Sequence, residues 1–469
     1  VPLPEPFHRR DIRRESGEPA PIALGDALAW LDRHIDLEKI EKGTAGRAGE
    51  PTLDRIARLL FAIDDPQRSY PVVHITGTNG KGSTTRICST LLSADGLSTG
   101  SYTSPNLERL NERIARDGVP ISDAALEEAL VSLAALEDFL LAREPWPVPP
   151  TRFELLTAAA FRWFADEAVD VGVIEVGLGG RYDATNVADG AVAVLTNVEL
   201  DHTEILGPTR ELIAKEKAGI IKPGAVVISG DRDPAIAAIV EAEAAAVAAQ
   251  EVWQRGRDFE CTANRPAVGG RLVSLRTPGA SYDELYLPLF GAHQGDNAAA
   301  ALAAAEALVG APLADDVVAE AFAATTVPGR LEVVGRHPVV LLDGAHNAAG
   351  AAALGAALVE DFAALERVIV VLGCLRGRDP AEMIEAIGVD RIVAVVACAP
   401  ASPRALDPRE VARAAHGAGL QCEVIEAAPD ALDRALEIAS EDDLVLVTGS
   451  LYVVGVARAA ARRLGLPRS

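Results

Sequence analysis

Between an apolar run and a helix-like run the chain reads Gly77-Thr78-Asn79-Gly80-Lys81-Gly82-Ser83-Thr84. Glycines let backbone N–H groups come close to phosphate oxygens, and the start of a helix adds positive partial charge. Thr78, Asn79, Gly80, Lys81, Gly82, Ser83 and Thr84 are therefore the expected cradle for a nucleotide triphosphate. Lys81 would bridge the outer phosphates, and Ser83 and Thr84 would donate hydroxyls. The spacing is shorter than G-x-x-x-x-G-K-[ST], so the generic pattern does not match while its physics does. Glu175 stands in the apolar stretch VDVGVIEVG, where a carboxylate is costly to desolvate unless paired or metal-bound. At the carboxyl end of a strand it is placed to hold Mg2+ facing the phosphates. Asp343 ends another apolar run, and His346–Asn347 open a helix, the position of a ligand at a strand–helix loop. Lys217 shares its segment with Lys215 and Lys222, which alone reads as a solvated basic face.

These residues need strands to aim them. Val72–Thr76, Val169–Val176, Ala191–Asn197 and Ala225–Ser229 read as buried parallel strands, with helix-like stretches at 83–94, 123–142, 153–168 and 208–220 between them. Such alternation predicts right-handed crossovers and a doubly wound sheet. Residues 252–290 read instead as short antiparallel strands with a Pro-Gly turn, added at an edge, before helices near 295–309 and 314–325. TTVPGRLEVVGRHP (325–338) breaks the pattern, and a second strand–helix series follows from Val339. The expected class is α/β, with a P-loop-type, doubly wound, mostly parallel sheet domain followed by a smaller Rossmann-like α/β domain. The boundaries are 1–326, with a loose arm over 1–20, a hinge linker over 327–337, and 338–469.

At 469 residues the chain is too long for one core. Its formal charge of -24 argues against a nucleic-acid partner, because phosphate-backbone binding needs a basic face. Any anionic ligand must be gathered by a local cluster. No apolar stretch approaches the ~18 residues that span a bilayer. The five cysteines are scattered without a CxxC pair, which fits free thiols in a reducing cytoplasm.

Six stretches in order, from TGTNGKGST through SYTSPNLERLNERI, TRFELLT, EVGLGGRYDATN and ELDHTEILGPTRELIAKEKAGI to LLDGAHNAAG, resemble the folylpolyglutamate synthase/dihydrofolate synthase branch of the Mur ligase superfamily. The resemblance runs from about residue 25 to 460. It implies that Ser104, before Pro105, helps hold one Mg2+ with Glu175, while His202 ligates a second. Asn106 departs from the histidine usual in the family, and Arg113 is implied on the substrate side. Lys217 is the implied carbamylated lysine that supports the second metal site. Asn297, Arg330 and Asp343 are implied ATP contacts. Thr151, Phe153, Arg181, Tyr182 and Asp183 are implied around the pterin, with the Phe153 ring stacking on it. Asp36 and Pro105 are implied on the substrate side, and His346 and Ser450 near the incoming glutamate.

The implied activity is an ATP-dependent ligation of L-glutamate to the γ-carboxyl of a reduced folate through an acyl phosphate, with Lys81, Lys217 and His346 as catalytic groups. Dihydropteroate stays open as a second acceptor. The expected ligands are two Mg2+ ions, ATP as co-substrate, folate and glutamate, in a cytoplasmic monomer with no membrane or nucleic-acid partner. The nearest rival, a ligase acting on a uridine-nucleotide-linked peptide, calls for a further domain ahead of the loop. A nucleotide-binding regulator calls for loss of the second metal site or of the downstream domain.

Overall fold

The computed structural model describes residues 24–36, 52–143 and 148–465. The expected N-terminal arm, 1–20, lies outside them. The chain runs through β1 (Val72–Thr76), β2 (Thr99–Tyr102), β3 (Ile114–Arg116), β4 (Val119–Pro120), β5 (Val171–Glu175), β6 (Gly190–Leu195), β7 (Val226–Ser229) and β8 (Glu251–Gln254). These form one eight-stranded sheet in the order β4-β3-β2-β5-β1-β6-β7-β8. From β2 to β8 the pairing is parallel, and only the β2–β3 and β3–β4 pairings, at one edge, are antiparallel.

Strand β1 is buried along its whole length because both sheet faces are covered, as its unbroken apolar pattern requires. Val73 and Ile75 face Ile87 and Leu91 of the helix Lys81–Ala94, whereas Val72 faces the layer containing helix Arg152–Asp166. Helix His293–Val309 is buried through its alanine run, Ala298–Ala305, so small side chains bring its backbone close to its neighbours.

The segment 252–290 differs from the sequence expectation. Strand β8 extends the main sheet in parallel beside β7. Strands β9 (Glu260–Ala267), β10 (Gly270–Arg276) and β11 (Ser281–Leu287) make a separate three-stranded antiparallel sheet. The reason is burial pattern: β10 carries a buried face, Val273 and Leu275, that packs into the core of the alanine-rich helix.

The second sheet holds β12 (Glu332–Arg336), β13 (Val339–Leu342), β14 (Val368–Leu372), β15 (Ile392–Ala399), β16 (Cys422–Ala427) and β17 (Leu444–Thr448), in the order β12-β13-β17-β14-β15-β16. The expected hinge linker 327–337 is corrected here. Residues 332–336 are strand β12, antiparallel to β13, leaving only 325–331 without regular structure. Pro328, Gly329 and Pro338 flank the strand, and Gly335 lies within it at a register shift. Among the described residues no helix is long and apolar enough to cross a membrane.

Candidate active site

In the first sheet β1 lies between β5 and β6, so three strand ends open into one crevice, where parallel α/β sheets bind ligands. The loop after β1 is stitched to the segment after β6. Thr78 N–H donates to Asn197 O (2.9 Å), Asn79 N–H to Asn197 Oδ1 (2.9 Å), and Thr196 Oγ1 to Asn79 O (2.6 Å). Gly80 has φ +82°, and a Cβ on it would sit 2.3 Å from Asn297 Oδ1. Asn297 therefore lies directly on the loop. Lys81 Nζ folds back onto Gly77 O (3.1 Å) and Thr78 O (3.2 Å). Burial lowers its pKa, opposed by the Glu175 and Asp201 charges. Ser83 and Thr84 are buried in the first helical turn, and among the described residues Thr84 Oγ1 has no hydrogen-bond partner.

Glu175 ends β5 against this turn. A Cβ on Gly82 would lie 3.4 Å from Glu175 Oε2, and Ser104 N–H donates to the same oxygen at 3.3 Å. Burial pushes the Glu175 carboxyl up to about 7, against the pull of Lys81 and the Ser104 N–H. Ser104, Glu175 and the lysine loop are thus brought together, with Pro105 following in a cis peptide. Arg113 is buried and donates to Asn106 Oδ1 (2.9 Å), so its side chain holds the Ser-Pro loop in shape.

Lys217 is buried with Nζ donating to Gly77 O at 2.7 Å. Burial, then the nearby Lys81 charge, lower its pKa to about 7. The uncharged amine, the form that reacts with CO2, is therefore well populated near neutrality. His202 caps the short helix Thr203–Leu206 in a left-handed conformation (φ +48°), and burial lowers its pKa to about 4.

From the second unit, Asp343 accepts Leu331 N–H (3.0 Å) and Ala345 N–H (2.8 Å), and Arg330 Nη1 would lie 2.5 Å from a Cβ on Gly344. Burial raises the Asp343 carboxyl, and the Arg330 charge holds it back. His346 Nδ1 lies 2.9 Å from Gly344 O, which fixes that nitrogen as the donor, and burial lowers the ring's pKa to about 4. Its Nε2 then presents a lone pair, 3.8 Å from Asp201 Oδ2.

Sequence reasoning missed Asp201, the node where the two units meet. It accepts from Asn347 Nδ2 (3.0 Å), pairs with Arg378, and lies 3.8 Å from His202 Nε2. Burial alone would raise its carboxyl, but His202 and Arg378 hold it far below the usual carboxylate range. Asn347 Nδ2 also reaches Asn79 Oδ1 (3.2 Å). The place of Asp201 before His202, and that of Arg378 in the loop after β14, can be read from the sequence, but their meeting cannot.

The residues expected around a pterin divide. Phe153 and Asp183 meet over Gly177, where a Cβ would touch the Phe153 ring at 2.6 Å and Asp183 Oδ2 at 3.2 Å. Asp183 accepts Leu178 N–H (2.9 Å), Thr185 N–H (3.0 Å) and Thr185 Oγ1 (2.5 Å), so it organises the loop after β5. Asp36 lies 3.8 Å from Arg152 Nε, at the helix start that carries Phe153. Thr151 is buried as that helix's cap, in a reciprocal box with Glu154. Arg181 turns away to Glu243 (2.6 Å), and Tyr182 is 53% exposed. Ser450 likewise caps the helix Leu451–Arg463 through Tyr452 N–H (3.2 Å).

The donor set fits Mg2+. Among the described residues no three His, Cys, Asp or Glu side chains cluster as an all-protein cage. Magnesium rarely uses one; it takes one or two carboxylates and completes its shell with phosphates and water. A buried carboxylate held near neutral pKa, against the first turn of the lysine-loop helix, is a site that a cation would stabilise.

Two family models match this chain: the Mur ligase middle domain over residues 150–305 and the Mur ligase glutamate ligase domain over 329–451. It is 39% identical to a dihydrofolate synthase/folylpolyglutamate synthase of Mycobacterium tuberculosis over 440 residues, 87% of this chain and 90% of that one. A folylpolyglutamate synthase of Lacticaseibacillus casei is 37% identical, covering 86% of this chain and 93% of its own. A crystal structure of the Mycobacterium tuberculosis folylpolyglutamate synthase with ADP and AMPPCP superposes with a TM-score of 0.86 at 36% identity, covering 95% and 99% of the two chains. An FPGS–AMPPCP–folate complex gives 0.78 at 32% identity, covering 94% and 100%. The chain belongs to the folylpolyglutamate synthase/dihydrofolate synthase family of Mur ligases.

Proposed function

We propose that this chain joins L-glutamate to the γ-carboxyl of a reduced folate at the expense of ATP, with dihydropteroate as a second acceptor of the same pocket. The observation that carries the reading is the convergence of Lys81, Glu175, Ser104 and Lys217 on one crevice, with Arg330, Asp343 and His346 of the second unit facing it. Relatives that hold AMPPCP, or AMPPCP with folate, support the nucleotide and folate assignments. The first unit, to residue 324, would bind ATP and folate; the second, from 332, would present glutamate across a hinge at 325–331.

A carboxylate oxygen is a poor leaving group, so the acid must be activated. The γ-phosphoryl group passes to the folate γ-carboxylate, forming an acyl phosphate as the bond to ADP breaks. Glutamate's amine attacks the carbonyl carbon, loses a proton, and inorganic phosphate departs with its bonding pair. Lys81 and the loop N–H groups align and neutralise the transferring phosphoryl group. When bound, Mg2+ would supply further charge neutralisation, held by Glu175 and Ser104 on one side and by His202, with a Lys217 carbamate beside it, on the other. Arg330 and Asp343 would meet the nucleotide from the second unit, which screens the acyl phosphate from water.

His346 Nε2 and Asp201 are both acceptors, 3.8 Å apart, and such a pair suits an ammonium group. We assign the incoming glutamate's amine to that gap, where His346 can take a proton as the amine attacks. A monomer in the cytoplasm completes the reading. An isotope experiment tests the acyl phosphate. Folate labelled with 18O in the γ-carboxylate should yield inorganic phosphate carrying one label. Unlabelled phosphate alongside normal amide formation would contradict it.

A further inference from the structure

The second sheet unit grips the Ser-Pro loop a few residues past Ser104. Leu107, a first-unit residue, packs into the apolar cluster between the second sheet and the helix Leu451–Arg463. Its carbonyl lies over Gly455, where a Cβ would come within 1.9 Å of the oxygen, so only glycine admits this approach. The next carboxylate, Glu108, is 14% exposed and sits between Arg458 Nη1 at 2.6 Å and Arg462. Arg458 Nε in turn reaches both oxygens of Glu332 on β12 at 2.9 Å. The loop is stiff between grip and site, because Leu107, Glu108 and Arg109 N–H groups all donate to Glu112 (2.8, 3.1 and 3.0 Å). At its far end Ser104 N–H meets Glu175.

We propose that Arg458 and Arg462 are positioning residues: by holding Glu108 against the second unit they set Ser104 against Glu175. The loop is then fully in place only while that unit is seated. Coupling of this kind is reciprocal, so ligands that draw Ser104 and Glu175 together also favour seating. The inference rests on the reading of Ser104 and Glu175 as the phosphate-facing pair. It adds the means by which the second unit controls that pair.

The test uses full-length Gly455→Ala, Arg458→Met and Arg458→Lys. Hydrogen exchange across residues 104–112 is measured without ligand, and kcat and KM are measured with ATP, Mg2+, glutamate and tetrahydrofolate. Gly455→Ala and Arg458→Met should each speed exchange at Leu107–Arg109 about tenfold and lower kcat about tenfold, the size of one lost coupling. KM for the folate should stay within about twofold, because the pocket at Phe153 and Asp183 is untouched. Arg458→Lys, which keeps the charge, should recover most of both losses. Reduced kcat without faster exchange overturns the proposal, as does faster exchange with normal kcat, or a KM effect alone. If Arg458→Met fails to fold, Arg458→Lys and Gly455→Ala carry the same comparison. Exchange reads the grip whatever the reaction is, so a wild-type protein without ligase activity would sink the functional reading while leaving the mechanical one standing.

Discussion

Glu175→Gln should make the ligand-free protein more stable while destroying its activity. Burial raises the carboxyl from its ordinary 4.5 to about 7, so the folded protein holds this proton more tightly than the unfolded chain. The sign follows: the group costs nothing below the unfolded value, and the cost grows as pH rises from 4.5 to about 7. Above that it levels off at about 3 kcal/mol. Glutamine has nearly the same shape and no charge to bury, and a buried amide with one partner costs about 1 kcal/mol. The expected net gain is therefore about 2 kcal/mol at pH 8, shrinking to about zero at pH 5. Urea unfolding of both proteins in chelator at the two pH values reads the difference. Turnover should fall by about 100-fold or more, because an amide cannot hold the cation or balance Lys81. Saturating Mg2+ and ADP, at about 100 times their Kd, should stabilise wild type by about 2.7 kcal/mol and the variant by much less. A variant less stable than wild type at pH 8, or a gap that does not change with pH, would refute the claim that burial of this charge is a cost held for function.

Lys217→Ala should lower turnover by about 100-fold or more with the fold retained by circular dichroism, and a short carboxylic acid in the buffer should restore part of it. Full activity in the variant would remove the carbamate from the mechanism. His74 is fully buried in β1, its Nε2 2.8 Å from Thr185 Oγ1, and burial lowers its pKa to about 3. The unfolded chain alone takes up this proton as pH falls below 6.5, so stability drops by about 2 kcal/mol between pH 7 and pH 5. His74→Gln should lose about 2 kcal/mol less over that interval, measured by urea unfolding. Asp201→Asn weakens the contacts to Arg378 and His346 across the two units; kcat should fall about tenfold or more, the scale of a buried charge pair. Small-angle scattering of this variant should show a larger radius of gyration, and an unchanged radius with unchanged kcat would dismiss Asp201 as a node.

The parallel strands that hold the site were legible because β1, β5, β6 and β7 are buried on both faces and read as apolar runs. The lysine loop was legible because glycines at strand ends have few uses. The strand inside the supposed linker was not, since Pro328, Gly329, Gly335 and Pro338 hid a short edge strand whose pairing partner is visible only in three dimensions. The motifs set Lys81 and Glu175 at adjoining strand ends, and the fold brings them together. Elsewhere a polar side chain serves the backbone. Thr151 and Ser450 cap helices, and Arg181 pairs with Glu243. Asp201 escaped notice because its partners, Arg378 and Asn347, come from a different sheet and lie far along the chain. No local pattern encodes that meeting.

The most direct test is a mass balance. Purified protein with ATP, Mg2+, L-glutamate and tetrahydrofolate should release one ADP for each γ-glutamyl bond formed, and release should stop when either glutamate or the folate is withheld. Steady ADP release without new γ-glutamyl product, or no dependence on glutamate, would contradict the ligase account.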